Sequence, residues 1–188
     1  MRDLRQMRSV PSKFQTRAEG DDLYIEGYFS VFGGVYELWD GASETIAPGA
    51  FSETLGGDIR ALIDHESRLV LGRTTAGTLE LREDDTGLWG RVKINSNDQD
   101  AMNLYERVRR GDVDQCSFGF DILDEETEQR ENGEVRWTIR KVKLYEVSVV
   151  TFPAYQETSV TARKRDYEEI QKRKTEAWRE SMRKKLKE

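Results

Sequence analysis

The chain has 188 residues, including one histidine and one cysteine, and carries a formal net charge of −6. This length suits one domain of ordinary size with an appendage, which can bury enough surface to fold without a disulfide or a metal. A single cysteine excludes an intrachain disulfide framework, and one histidine with one cysteine gives too few soft ligands for a structural zinc site. The composition therefore predicts neither a metal nor a cofactor.

The charge is unevenly distributed along the chain. Residues 163–188 contain 11 Lys or Arg and 6 Asp or Glu, a charge of +5, which leaves −11 on the other 162 residues. An acidic body argues against nucleic-acid binding by that part of the chain. The basic tail is either a solvated surface helix or a segment that contacts an acidic partner. No apolar run is long enough to span a membrane, and the N-terminus lacks the apolar core of a signal peptide, so we expect a soluble cytoplasmic protein.

The first part of the chain predicts a flexible N-terminus, a strand and a short helix. Residues 1–20 are expected to be flexible. From Leu23 onward apolar and polar residues alternate, which predicts a strand about ten residues long. Pro48 suits the first turn of a short helix over residues 46–55.

The middle of the chain predicts a strand, a hairpin and a helix. Residues 58–66 alternate again, and residues 77–94 form two alternating runs around a turn rich in Asp, Thr and Gly. The next apolar residues have helical spacing and predict one amphipathic helix, with an apolar stripe of Ala101, Leu104, Tyr105 and Val108.

Residues 115–123 and 135–152 return to strand-like alternation on either side of a polar loop. Many short strands with two inserted helices predict an α+β fold with a mainly antiparallel, barrel-like sheet. We place this domain at residues 21–162, followed by a charged helical tail at residues 163–188.

Cys116 and Ser117 are neighbours in a predicted strand, and either is a candidate nucleophile. Alternation places Cys116 with the apolar Phe118 and Phe120, where a buried thiol behaves as a small hydrophobic group. Ser117 then lies on the opposite face with Gly119, whose missing side chain leaves the strand backbone open to an approaching peptide. The pattern favours Ser117 over Cys116, although an exposed strand serine without function has the same pattern.

A serine nucleophile needs a base, and His65 is the only histidine in the chain. A third group must orient the imidazole. Glu146 is favoured because it lies within an apolar strand, where a carboxylate is costly to bury without a partner. Asp64 and Glu66 compete for that role, and Glu146 could instead pair with an arginine of segment 68–73. A surface histidine without function is the alternative reading of His65.

Four segments resemble, in sequence and order, the prohead protease family of tailed bacteriophages: "IAPGAFSETL", "ALIDHESRLVLGRT", "CSFGF" and "LYEVSVVTFPAYQET". The resemblance extends from about Leu23 to Ala162 and depends on the segments together. It implies a serine peptidase related in fold to the herpesvirus assembly protease, or assemblin. It also implies Ser117 as nucleophile and His65 as base. Assemblins use a second histidine as the third residue, and Glu146 is expected to replace it here.

The resemblance further implies where the enzyme acts and on what. The expected substrates are the major capsid protein, or its scaffolding segment, and the protease itself. The expected location is the assembling prohead in the host cytoplasm. A homo-oligomer is compatible with this role, whereas neither a membrane nor a nucleic acid is expected as a partner.

Three other functions are compatible with the residues. A non-catalytic capsid scaffold or assembly module would keep the same fold and use the strand edge near Ser117 to bind an extended peptide. A cysteine hydrolase would use Cys116 with His65, against the alternation. A metal-dependent hydrolase is disfavoured by the shortage of histidine.

Overall fold

The computed structural model describes residues 6–11, 14–130, 133–152 and 157–185. The chain divides into two compact units, Met1–Tyr155 and Gln156–Glu188. Within the described residues, the first unit contains mostly strands with one α-helix, and the second contains one long α-helix. The predicted α+β class is therefore confirmed. Neither described helix combines the length and the apolar character needed to span a membrane.

Strands and helices are numbered in chain order. The strands are β1 Gln6–Pro11, β2 Gln15–Glu19, β3 Asp22–Val31, β4 Tyr36–Trp39, β5 Ala42–Ile46, β6 Arg60–Ile63, β7 Glu66–Arg73, β8 Leu79–Glu83, β9 Gly87–Ile94, β10 Gln115–Gln129 and β11 Val135–Val150. The helices are α1 Gln99–Arg110 and α2 Glu157–Lys185, with a 3-10 turn at Thr74–Ala76.

The strands form two sheets. The larger has the order β1–β10–β11–β5–β4, with β6 also paired with β11 and β7 paired with β6; the smaller has the order β2–β3–β9–β8. Neighbours are antiparallel except that β11 runs parallel to β5 and to β6. Because β11 is long enough to pair with β5 along its first half and with β6 along its second, the larger sheet branches. The predicted barrel-like core is therefore wrong, since the described strands do not close into a ring.

Both sheets and α1 contribute side chains to one hydrophobic core. The rings of Phe118 and Phe120 stack with their centroids 5.0 Å apart, and Phe51 packs edge-on against Phe118 at 5.6 Å. Full burial of each such ring contributes roughly 1.5–3 kcal/mol. All four residues of the predicted apolar stripe of α1 are buried, Asp98 caps its first turn and Gly111 ends it at φ 84°. These features confirm the predicted helix.

The prediction missed β4, β5 and β7, and the strand expected over 58–66 is limited to β6, Arg60–Ile63. Two further segments differ from it. The predicted helix at 46–55 is absent. Ile46 ends β5, and residues 48–55 form turns, because the Glu83 carboxylate accepts hydrogen bonds from two amides of this segment. The predicted loop at 124–134 is shorter, because β10 continues to Gln129 while paired with β11. In both places a contact with another part of the chain overrides the local pattern.

The expected flexible N-terminus contains two strands, β1 and β2. All of β1 pairs with β10. Arg8 and Glu44 form a buried ion pair, with Nε and Oε1 2.5 Å apart. Buried charges require such pairing, and the polar sequence of the N-terminus does not reveal the distant partner. At the other end of the chain, α2 begins at Glu157, earlier than the predicted tail.

Candidate active site

His65 lies in a two-residue turn between β6 and β7. Asp64 and His65 have φ 47° and 61°, and the flanking Ile63 and Glu66 lie opposite each other. Left-handed backbone at both central positions defines a tight hairpin turn. This conformation costs a residue with a side chain about 1–2 kcal/mol, and such strain is concentrated at functional sites.

Asp64 fastens this turn to the end of β11. Its amide donates to the carbonyl of Val149 at 3.0 Å. Its carboxylate accepts hydrogen bonds from the Thr151 amide at 2.7 Å and from the Thr151 hydroxyl at 3.3 Å. These three hydrogen bonds fix the backbone of His65 relative to β11. Because the Asp64 carboxylate is hydrogen-bonded to Thr151, it is not the group that orients the His65 ring, which has another partner.

That partner is Glu146, which the sequence favoured. His65 Nδ1 and Glu146 Oε1 are 2.8 Å apart, and the two side chains are 17% and 4% exposed. An ionised carboxylate only accepts hydrogen bonds, so Nδ1 carries the proton and Nε2 keeps a lone pair in the neutral ring. Nε2 is buried and has no hydrogen-bond partner among the described residues. It can therefore accept a proton from a neighbouring donor.

Ser148 makes the second hydrogen bond to Glu146. Its hydroxyl donates to Oε2 at 2.6 Å, while Oε1 faces His65. Both carboxylate oxygens are thus used, which fixes the plane of the carboxylate against the imidazole. Hydrogen bonds to a charged acceptor in a buried setting are among the strong ones.

A β-bulge in β11 directs Glu146 away from the core. Gly119 lies opposite Glu146, but the next residue of β10, Phe120, lies opposite Leu144, so Tyr145 is an extra residue in β11. One extra residue reverses the alternation of faces. Leu144 consequently joins the hydrophobic core, while Glu146 faces the other side. Simple alternation would place Leu144 and Glu146, two residues apart, on the same face, and the bulge places them on opposite faces.

Ser117 lies opposite Ser148, on the sheet face that carries Glu146. Its side chain is 0% exposed, and its Oγ has no hydrogen-bond partner among the described residues. The prediction of an open side is wrong, because Ser117 and Gly119 are both buried. The edge of β10 is also occupied, since β1 pairs along it with Ser9 opposite Ser117. The predicted serine and the predicted carboxylate share one face, and His65 contacts the carboxylate, Glu146.

Cys116 faces the core, as the alternation predicts. Its Sγ donates to the carbonyls of Tyr28 and Phe29 at 3.3 and 3.4 Å. It lies on the face of β10 opposite to Ser117, away from the carboxylate that holds His65. The cysteine hydrolase hypothesis therefore loses its geometric support.

The arginines that could have paired with Glu146 have other partners. Arg73 donates two hydrogen bonds to Asp58, both 2.7 Å long, and lowers the pKa of Asp58 to about 2. Arg68 lies 3.5 Å from Glu66. Among the described residues, no group of three or more His, Cys, Asp or Glu side chains is arranged to hold a metal ion.

Sequence reasoning missed two supporting contacts. Ser148 and Glu146 are two residues apart in a strand, so the alternation already placed them on one face and could have suggested their hydrogen bond. The contact between Asp64 and Thr151 depends on the tight turn and on the parallel pairing of β6 with β11, which no local periodicity indicates.

Comparison with known proteins shows which family the chain matches. The family described as caudovirus prohead serine protease matches residues 12–173. The prohead protease of Enterobacteria phage HK97 is 28% identical over 150 residues, which cover 78% of this chain and 62% of that protein. The chain thus spans less than two thirds of the length of this relative.

A solved structure has a similar fold. The bacteriophage T4 capsid assembly protease aligns with a TM-score of 0.50 at 12% identity, over 80% of this chain and 97% of that chain. At this identity the likeness concerns the fold alone. The match over residues 12–173 includes every residue of the candidate site. The chain belongs to the caudovirus prohead serine protease family.

Proposed function

We propose that this chain is a prohead endopeptidase with Ser117 as nucleophile, His65 as general base and Glu146 as the group that orients the imidazole. The observation that carries the proposal is the 2.8 Å contact between His65 Nδ1 and Glu146 Oε1. This contact leaves Nε2 without a hydrogen-bond partner among the described residues, and Glu146 shares a sheet face with Ser117, in a member of a serine protease family.

The mechanism follows from this arrangement. His65 Nε2 takes the Ser117 proton as Oγ attacks the scissile carbonyl, and Glu146 holds Nδ1–H and stabilises the imidazolium. Preorganised donors such as backbone amides stabilise the oxyanion. His65 then passes the proton to the leaving amine. Water hydrolyses the acyl-enzyme through the same base and restores Ser117.

The proposed substrate is the scaffolding segment of the major capsid protein, with the protease itself as a second substrate. The relatives are named as a prohead protease and a capsid assembly protease, which supports this substrate class. Cleavage would take place in the assembling prohead within the host cytoplasm. A homo-oligomer of the protease is compatible with this role. A relationship in fold to the herpesvirus assembly protease forms part of the same proposal.

Co-expression with the phage coat protein tests the assignment. Mass spectrometry of the coat protein should show cleavage with the wild-type chain and with Cys116→Ala, but not with Ser117→Ala. The cysteine variant is the matched control, because its side chain lies one residue away on the opposite face. Coat protein matured at the normal rate by Ser117→Ala would exclude Ser117 as the nucleophile.

The complete burial of Ser117 favours one alternative, a non-catalytic assembly module with the same fold. A fluorophosphonate probe discriminates between the two functions, because it reacts with a serine only when a base activates it. The peptidase should become labelled at Ser117 and should lose labelling in His65→Gln. A non-catalytic module would not be labelled in either form.

We further propose that α2 docks on an acidic surface of the coat or scaffold protein. Residues 163–188 carry +5, and Trp178 and Met182, one helical turn apart, are 63% and 38% exposed. An exposed aromatic side chain among cations is typical of an interaction surface. Deleting residues 163–188 should reduce incorporation into proheads while sparing cleavage of free coat protein. Normal incorporation of the deletion variant would contradict docking by α2.

A further inference from the structure

Strand β1 lies directly against the strand that carries Ser117. The two strands pair antiparallel along the whole of β1, with Ser9 opposite Ser117 and Met7 opposite Gly119. The family match begins at residue 12. Among the described strands, β1 is therefore the one that lies outside the region shared with the family.

Without β1, this part of β10 would be an edge of the sheet. β11 pairs with the other side of β10, and β1 is the last strand on this side. A strand edge presents backbone N–H and C=O groups to which an extended peptide can add as a further strand. A peptidase must hold an extended peptide next to its nucleophile. β1 therefore occupies the position in which such a peptide would pair beside Ser117.

A buried ion pair anchors β1 in this position. Arg8 Nε lies 2.5 Å from Glu44 Oε1, and the two side chains are 2% and 0% exposed. The Arg8 guanidinium also lies over the ring of Phe120, 5.7 Å from its centre. Departure of β1 would leave Glu44 without this partner, which disfavours release. The anchor is consistent with a resting state in which Ser117 is fully buried.

We propose that β1 is a built-in occupant of the peptide-binding edge of β10, and that an extended substrate pairs there only after displacing β1. The inference rests on the proposed function of Ser117 and adds a means of restraint. Because β1 and the substrate compete for the same backbone groups, activity depends on the local concentration of substrate chains. Crowded substrate inside a closed shell favours displacement over the resting state.

A reversible cross-link between β1 and β10 tests this proposal in the full chain. Val10 lies opposite Cys116, the single cysteine of the chain. Opposed residues of an antiparallel pair have Cα atoms about 4.5–5.5 Å apart, which suits a disulfide. Oxidised Val10→Cys should hold β1 on β10, and a reductant should release it. Met7→Cys is the matched control, because it adds a thiol to the opposite face of the same strand.

The measured quantity is the rate at which a fluorophosphonate labels Ser117. In that reaction Ser117 Oγ bonds to phosphorus, fluoride leaves and His65 takes the proton. We expect oxidation of Val10→Cys to slow labelling by about tenfold or more, with recovery on reduction. Oxidation should leave the labelling rate of wild type unchanged, and it should also leave the labelling rate of Met7→Cys unchanged.

An anchor variant tests the opposite direction. Arg8→Ala loosens β1 and should be labelled faster than wild type, whereas a mere distortion of the site by the cross-link would not produce this gain. Unchanged labelling of the cross-linked form, failure of the cross-link to form, or no gain in Arg8→Ala would overturn the proposal. Absence of labelling in every form, reduced Val10→Cys included, would instead overturn the proposed function of Ser117.

Discussion

At the scale of single residues, the orientation of Glu146 depends on Ser148. The Ser148 hydroxyl donates to Glu146 Oε2 at 2.6 Å, and both side chains are buried. In Ser148→Ala that oxygen loses its hydrogen bond, and a hydrogen bond to a charged group contributes roughly 1.5–3 kcal/mol. We expect the free energy of unfolding to fall by about this amount. The turnover number should also fall, by about tenfold or more, because the imidazole is less well oriented.

The single histidine makes this effect directly observable. NMR of the imidazole nitrogens distinguishes the two neutral tautomers of His65. We expect the Nδ1-protonated form in wild type and a mixture in Ser148→Ala. Ser52→Ala is the control, since the Ser52 hydroxyl is exposed and donates to the Gly49 carbonyl at 2.8 Å. An unchanged spectrum together with an unchanged turnover number would show that Glu146 keeps its orientation without Ser148.

Asp64 positions His65 through the backbone. Asp64→Ala removes both hydrogen bonds to Thr151 and leaves an alanine at φ 47°. We expect a loss of roughly 1–3 kcal/mol in the free energy of unfolding. The turnover number should fall while KM changes little, because the affected group acts in proton transfer.

Glu66→Ala is the matched control for Asp64→Ala. Glu66 lies on the other side of His65, and its ion pair with Arg68 is exposed. An exposed substitution of this kind changes stability by about 0.5 kcal/mol or less. Denaturant unfolding and steady-state kinetics measure both effects. Equal losses in the two variants would contradict a specific role for the Asp64 carboxylate.

Local patterns predicted part of the site at this scale. Alternation assigned Cys116 and Ser117 to the correct faces, since strand periodicity involves neighbouring residues. The cost of burying a carboxylate in an apolar strand was the basis for predicting the contact between Glu146 and His65. The pairing of β10 with β1 could not be predicted, because it joins Ser117 to a strand more than a hundred residues earlier in the chain.

At the scale of elements, Asp58 and Arg73 join the two strands of the β6–β7 hairpin at the end away from its turn. Two hydrogen bonds of 2.7 Å join them, and this contact lowers the pKa of Asp58 from 3.8 to about 2. A carboxyl group with a lowered folded-state pKa stabilises the fold above its unfolded-state pKa. That contribution is lost as the pH falls through the folded-state pKa. The hairpin that presents His65 should therefore weaken between about pH 4 and pH 2.

Asp58→Asn measures this contribution. The free energy of unfolding of wild type should exceed that of the variant at about pH 6, and the difference should shrink as the pH falls from about 4 to about 2. Because the pair is exposed, added salt should also reduce the difference. Urea unfolding of both proteins over this range gives the result. A difference that does not change with pH would show that Asp58 acts other than by its charge.

Elements with a strong local signal were predictable, and those fixed by distant contacts were not. Helix α1 carries an apolar stripe, a capping Asp98 and a terminating Gly111, and all three features are present. The segment 46–55 resembles a helix start at Pro48, yet residues 48–55 form turns, because the Glu83 carboxylate accepts hydrogen bonds from two of their amides. The β-bulge at Tyr145 changes the spacing of buried hydrophobic residues from two to three between Leu144 and Val147, but the apolar Tyr145 conceals this change in the sequence.

At the scale of the whole molecule, the paired strands β10 and β11 bring the site together. Ser117 comes from β10, Glu146 and Ser148 come from β11, and His65 follows β6, which pairs with β11. These contacts join distant parts of the sequence, so periodicity alone cannot reveal them. The order of four family-like segments indicated the set of residues, and the branched sheet explains why they meet.

The two buried serines of this sheet differ in their hydrogen bonding, and this difference predicts how each affects the free energy of unfolding. Ser117 and Ser148 lie opposite each other and are both fully buried, but the Ser148 hydroxyl is bonded and Ser117 Oγ has no partner among the described residues. Burying a hydroxyl without a hydrogen bond costs roughly 1–3 kcal/mol. We therefore expect Ser117→Ala to raise the free energy of unfolding by about 1 kcal/mol while it abolishes cleavage.

The two serine variants form a matched pair for this prediction. Urea unfolding at one pH should give changes of opposite sign, a gain for Ser117→Ala and a loss for Ser148→Ala. Each substitution removes one hydroxyl from a buried position in the same sheet, so packing effects largely cancel. A loss in both variants would mean that the Ser117 hydroxyl is hydrogen-bonded in the folded protein. Its reactivity would then require breaking that bond before His65 could take the proton.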